Sequence, residues 1–208
     1  MPPTGGGVSG GVDSLSFQVS NSKSHAYLLA LNQVFPNLHV LVTGTGAWVY
    51  PDACPRDYSG DWNSIEAVTK AANYCEELRE ECLRHKQSLI FETVLSSEGK
   101  VDFIRRAKDA GYFIRVFFVS TSHPSINSSR IAKRVMQGGH DVPIPKIISR
   151  YQKSILNCKR VAALADRMYV YDNSIDDAEA CILFRMTDGQ LVKRYTDIIP
   201  IWAQTLLD

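Results

Sequence analysis

From residue 39 onward the apolar positions keep two alternating rhythms. Short Val- and Leu-rich runs alternate with longer stretches that place an apolar residue every third or fourth position. The short runs His39–Thr43, Ala47–Tyr50, Ser88–Glu92, Tyr112–Val119 and Arg167–Tyr171 predict strands, since each is bounded by turn-forming residues. Tyr112–Val119 is broken only by Arg115, a pattern typical of a strand covered on both faces. The longest helix is predicted from Asp61 to about Lys86, with Trp62, Ile65, Val68, Ala72, Cys75 and Leu78/Leu83 on one side. Lys23–Gln33, with Ala26, Leu28, Leu29 and Leu31, predicts a shorter one. Val101–Ala110 predicts another, closed by Gly111 at the position after the cap. Ile126–Met136 and Pro145–Ala165 predict two more, on either side of Gly138-Gly139-His140. Near the end, Cys181–Met186 and Gln190–Tyr195 flank Asp188-Gly189, the signature of a hairpin, and a short helix starts from Ile198.

Strand and helix therefore alternate from residue 39 to residue 171. That order implies βαβ crossovers, hence an α/β domain with a mainly parallel central sheet, helices on both faces and a C-terminal β-hairpin. Residues 1–16 are rich in Gly, Ser and Pro and read as a disordered leader; residues 17–208 read as a single domain.

Composition narrows the class. With 45% hydrophobic residues the chain can bury a core, yet no apolar run approaches the length of a membrane span. Lys+Arg 23 against Asp+Glu 22 leaves a net charge of +1, which argues against binding nucleic acid by bulk charge. The five cysteines are odd in number and contain no C-x-x-C, as expected of reduced thiols in a cytoplasmic protein.

In an open parallel sheet, functional groups gather beyond the C-terminal ends of the strands. Three predicted strand ends carry polar residues here: Asp52, Glu92 with Thr93, and Asp172-Asn173-Ser174. One carboxylate at a strand end is usually a turn or cap residue; three at one edge point to a site.

Several strings, taken with their order, resemble the zeta-toxin-like P-loop kinases. They are Phe91-Glu92-Thr93-Val94-Leu95-Ser96-Ser97, Ala107-Lys108-Asp109-Ala110-Gly111-Tyr112, Phe117-Phe118-Val119, Arg130-x-x-x-Arg134, Gly138-Gly139-His140-Asp141-Val142-Pro143, Arg150-Tyr151 and Val170-Tyr171-Asp172-Asn173-Ser174. The resemblance covers roughly residues 47 to 208. It implies a P-loop-kinase-like three-layer fold and transfer of the γ-phosphate of ATP, with Mg²⁺, to an alcohol. The characterised toxins phosphorylate the sugar of UDP-N-acetylglucosamine, which makes a nucleotide sugar the expected acceptor and a protein antitoxin an expected partner. Asp52, in Tyr50-Pro51-Asp52, matches the general base; Tyr50 stands where the family usually has Asn. Glu92 and Thr93 match acceptor contacts, and Arg130 and Arg134 match the lid arginines that neutralise the phosphates. Gly138, Gly139, His140 and Arg150 belong to the lid, about residues 137–145, while Asp172 and Asn173 fall on the nucleotide side.

The phosphate loop departs from the pattern. Phe17–Ser24 keeps Lys23 and Ser24, the residues that would meet the phosphates and Mg²⁺, but contains no glycine to admit them closely. Ser9-Gly10-Gly11-Val12-Asp13-Ser14 fits the loop of adenylating ATP pyrophosphatases, a reading that needs a buried strand before it, and Met1–Gly6 cannot supply one. Two functions from different classes follow: a small-molecule kinase with a divergent phosphate loop, or a non-catalytic descendant that binds a ligand or partner.

Overall fold

The computed structural model describes residues 46–49, 65–86, 88–136 and 142–208. The expected leader, the helix at Lys23–Gln33, the strand at His39–Thr43, Asp52, and Gly138-Gly139-His140 lie outside the described residues.

The elements run β1 (Gly46–Val49), α1 (Ile65–Arg84), β2 (Ser88–Phe91), α2 (Glu98–Asp109), β3 (Arg115–Ser120), α3 (Pro124–Met136), α4 (Ile144–Ala162), β4 (Arg167–Asp172), β5 (Cys181–Thr187), β6 (Gln190–Arg194) and α5 (Ile201–Gln204). The alternation legible in the sequence is thus present. β1 pairs with β2 in parallel, and β3 with β4 in parallel, each through a helical crossover. β5 and β6 then add antiparallel, so the four-stranded sheet β3-β4-β5-β6 is mixed. The connection 173–180 is too short to carry a helix back across the sheet, which leaves antiparallel return as the available geometry.

One face of that sheet is the main core. Val116, Phe118, Met168, Val170, Phe184 and Met186 are all at most 1% exposed and pack with Val101, Ile104 and Ala107 of α2, Cys158 and Val161 of α4, and Trp202 and Ala203 of α5. The opposite face is a smaller cluster of Val119, Tyr171 and Ala180 with Phe117, Tyr169 and Ile182, to which no described helix contributes a residue. The expectation that β3 is buried on both sides therefore holds only for Phe118–Ser120. At its start Arg115 and Phe117 stay partly exposed while Val116 is buried, the alternation of a strand with one wet face. α1 also differs in detail. Among its described side chains Cys75, Arg79 and Cys82 are buried, Leu78 and Leu83 of the expected face pack against the core, and Ala72 is exposed. Arg79 is tolerated inside because its guanidinium stacks 5.5 Å from the Phe91 ring centroid while its tip faces Glu76 at 3.8 Å.

Helix and turn ends obey local chemistry. Gly111, at φ +87, closes α2: Gly111 N–H donates to Lys108 O and Tyr112 N–H to Ala107 O, the paired bonds of a Schellman motif. Asp188 and Gly189 both take positive φ, as a two-residue hairpin turn requires, and their N–H groups donate to Ala165 O and Ala162 O. The hairpin is thereby stitched to the end of α4.

Candidate functional site

The loops that follow β2, β3 and β4 carry the strand-end polar residues of the described chain. Glu92 and Thr93 follow β2 directly and are partly buried. The Thr93 hydroxyl accepts a hydrogen bond from Leu95 N–H (3.2 Å), in a turn that carries Leu95 into the left-handed region at φ 55. A leucine held there costs about 1–2 kcal/mol. The cost is offset by complete burial of its side chain and by the Asn157 amide, whose Nδ2 donates to Leu95 O at 2.9 Å. The backbone behind Glu92 is therefore fixed from α4.

The same helix reaches the next strand end. Tyr151 OH donates to Thr121 O, just past β3, at 2.8 Å. Tyr151 and Asn157 lie six residues apart, about 9 Å along the helix axis, so one rigid element ties the loop after β2 to the loop after β3. Burial, with the Asp172 carboxylate nearby, pushes the Tyr151 hydroxyl up to about 12, which keeps it a neutral donor. Thr121 is fully buried, and its hydroxyl faces Asn127 Oδ1 at 3.3 Å and His123 O at 3.2 Å. His123 Nδ1 accepts from Ser125 N–H at 3.2 Å and caps the first turn of α3.

After β4 the chain forms a polar knot. Asp172 accepts from Ser174 N–H through Oδ1 and from the Trp202 indole N–H through Oδ2, both at 2.9 Å. Asn173 is buried, and its N–H donates to Ser120 O at 2.7 Å. The Ser174 hydroxyl accepts from Ser122 N–H at 2.7 Å. The two oxygens of Asp172 are thus engaged in holding the loop and α5, a structural task that the sequence pattern did not suggest.

Arg130 lies on α3 and turns onto this loop. Its Nε donates to Asp176 Oδ1 at 2.8 Å, and its side chain is only 15% exposed. Lys133, one turn on, donates to Asp176 Oδ2 at 3.0 Å. Arg130 and Lys133 together hold the Asp176 carboxyl below the usual range. Arg134 is partly buried, and burial lowers the pKa of its guanidinium. Arg150 sits partly buried in the second turn of α4. The structure therefore brings Arg130 to the end of β4 and fixes Glu92 and Thr93 at the end of β2; Asp52, Lys23, Ser24 and the lid glycines fall outside the described residues. Asp176, Asn157 and Trp202 escaped the sequence reading. Asp176 could have been found only through its spacing to the Asp172-Asn173-Ser174 turn.

Among the described residues no three His, Cys, Asp or Glu side chains gather to hold a metal ion. No described helix is long and apolar enough to cross a membrane. Cys82, Cys158 and Cys181 are free thiols, the last of them exposed.

The zeta toxin family profile matches residues 52–182, more than half of the chain and the whole span from the predicted base to the start of β5. The chain belongs to the zeta toxin family. That family is one of kinase-type phosphotransferases. A solved structure from Streptococcus pneumoniae, from work on the PezAT chromosomal toxin-antitoxin system, shares the fold. It has a TM-score of 0.50 and 13% identity, and the match covers 89% of this chain and 72% of that one. No curated protein matches the chain.

Proposed function

We propose that the protein is an ATP-dependent phosphotransferase of the zeta-toxin type, acting on the hydroxyl of a nucleotide sugar such as UDP-N-acetylglucosamine. The observation that carries the reading is the seat of Arg130. A partly buried guanidinium beside the loop after a parallel strand, anchored among the described residues through its Nε, suits the neutralisation of charge on a phosphate. In this scheme Asp52 takes the proton of the acceptor hydroxyl, whose oxygen attacks the γ-phosphorus of ATP, and ADP leaves. Glu92 and Thr93 hold the acceptor, and Arg134 joins Arg130 on the phosphates. Ser24 would hold Mg²⁺ brought by ATP, and the ion would supply neutralisation of charge on the phosphates. Lys23 reaches the phosphates. A cytoplasmic location and a protein antitoxin accord with the family.

A second reading is favoured by one specific observation, the absence of glycine from Phe17–Ser24. Side chains there crowd the backbone approach that phosphates require, and a chain that had lost ATP binding would persist as a binding module. Titration of the protein with MgATP in a calorimeter separates the two. The kinase reading expects saturable heat and, with UDP-N-acetylglucosamine present, ADP release; no heat at millimolar nucleotide leaves the binding module.

A further inference from the structure

The ion pairs on α3 carry an inference that rests on the phosphotransfer reading. Arg130 and Lys133 lie three residues apart, hence on one face of the helix, and share the single carboxylate of Asp176. They share it unequally. Lys133 is 60% exposed, whereas Arg130 is 15% exposed and gives Asp176 only its Nε. Among the described residues, neither Nη group of Arg130 has a hydrogen-bond partner. A guanidinium carries five N–H donors in a planar fork, so the four on Nη1 and Nη2 remain for a ligand.

We propose that Asp176 is a positioning residue for phosphoryl transfer, holding Arg130 by its Nε so that both Nη groups are presented to the phosphates of the bound nucleotide. An arginine has four side-chain torsions, and leaving them free would charge their ordering to the transition state. A carboxylate on Nε removes most of that freedom before the nucleotide arrives. The device keeps its charge, because two cations against one carboxylate leave the cluster at +1. It is also placed correctly, since Asp176 follows Asp172–Ser174, whose own bonds to Ser122 and Trp202 fix the loop at the end of β4. An ordinary exposed ion pair contributes little to anything; the burial of Arg130 and the one-sided use of its donors distinguish this one.

The test uses the full chain, MgATP and UDP-N-acetylglucosamine, with ADP release as the readout. Asp176→Asn is expected to lower kcat by roughly 10–100-fold, in line with the cost of a slightly misplaced catalytic group, with the melting temperature little changed. Asp176→Glu should recover part of the loss. Asp177→Asn removes the same charge one residue away, at an exposed site, and should leave kcat unchanged. The deciding measurement is the double variant: in an Arg130→Ala background Asp176→Asn should have no further effect, because its whole action passes through Arg130. Wild-type kcat in Asp176→Asn, or an additive loss in the double variant, overturns the proposal and leaves phosphotransfer standing. A wild-type chain that releases no ADP removes the phosphotransfer reading and the proposal with it.

Discussion

Asp172 offers the sharpest test of how the strand-end loops are held. Its carboxylate meets two donors, the Ser174 N–H and the Trp202 indole N–H, each at 2.9 Å. Trp202 is 7% exposed and packs against Phe118 with ring centroids 6.0 Å apart, so its N–H has little access to water once Asp172 is gone. Orphaning a buried donor costs about 1–3 kcal/mol, and loss of the second bond, from a partly exposed turn, adds about 0.5–1.5 kcal/mol. Asp172→Ala should therefore destabilise the protein by about 1.5–4.5 kcal/mol, read as a lower midpoint in urea at unchanged slope. The Trp202 share is isolated by a cycle with Trp202→Phe, which keeps the ring and deletes the donor. The two substitutions should couple by about 1–3 kcal/mol. Coupling below about 0.5 kcal/mol would refute the reasoning. Nucleotide affinity separates the roles: if Asp172 touched ATP directly, Asp172→Asn would weaken binding while Trp202→Phe did not.

Further outcomes follow from the same geometry. Asp52→Asn keeps shape and removes the proton acceptor, so turnover should fall by roughly 10²–10⁴ with ATP affinity little changed; undiminished turnover would return Asp52 to a turn residue. Arg130→Ala and Arg134→Ala should each cut transfer strongly, by up to roughly 10³–10⁵ for an arginine that meets the transition state. Lysine should restore only part, because it lacks the planar fork. Burial pushes the Tyr151 and Tyr171 hydroxyls up to about 12, helped by Asp172 for the former and by Tyr169 and Tyr195 for the latter. Because the folded pKa lies above the unfolded value of 10.0, their contribution to stability is intact below pH 10 and is lost as the pH climbs from 10 towards 12. An ultraviolet titration of the folded protein should show phenols that ionise late, Tyr151 and Tyr171 among them, and uniform ionisation near 10 would contradict their burial.

The amino-acid sequence by itself determined the elements of the described residues and carried the resemblance to the family. The period-2 and period-3.6 patterns, the Schellman glycine Gly111 and the Asp188-Gly189 turn act within a few residues of one another, so their physics is local and legible in one dimension. The same holds for Glu92, Arg130 and Asp172, whose positions after a strand or on a helix follow from the chain around them. Tertiary structure alone decided what these side chains touch. Asp172 meets Trp202 thirty residues on, Arg130 meets Asp176 across 46, and Asn157 reaches back 62 to hold Leu95 in a conformation leucine disfavours. Such pairings depend on where α4 and the loop after β4 come to rest against the sheet, and hydrophobic periodicity carries no record of that. It also could not reveal that β5 would return antiparallel, or that Arg115 would mark a wet sheet face. The first was set by the length of the connection 173–180, which acts only once β5 lies beside β4, and the second by which sheet face the described helices pack against, a choice made only as the chain packs.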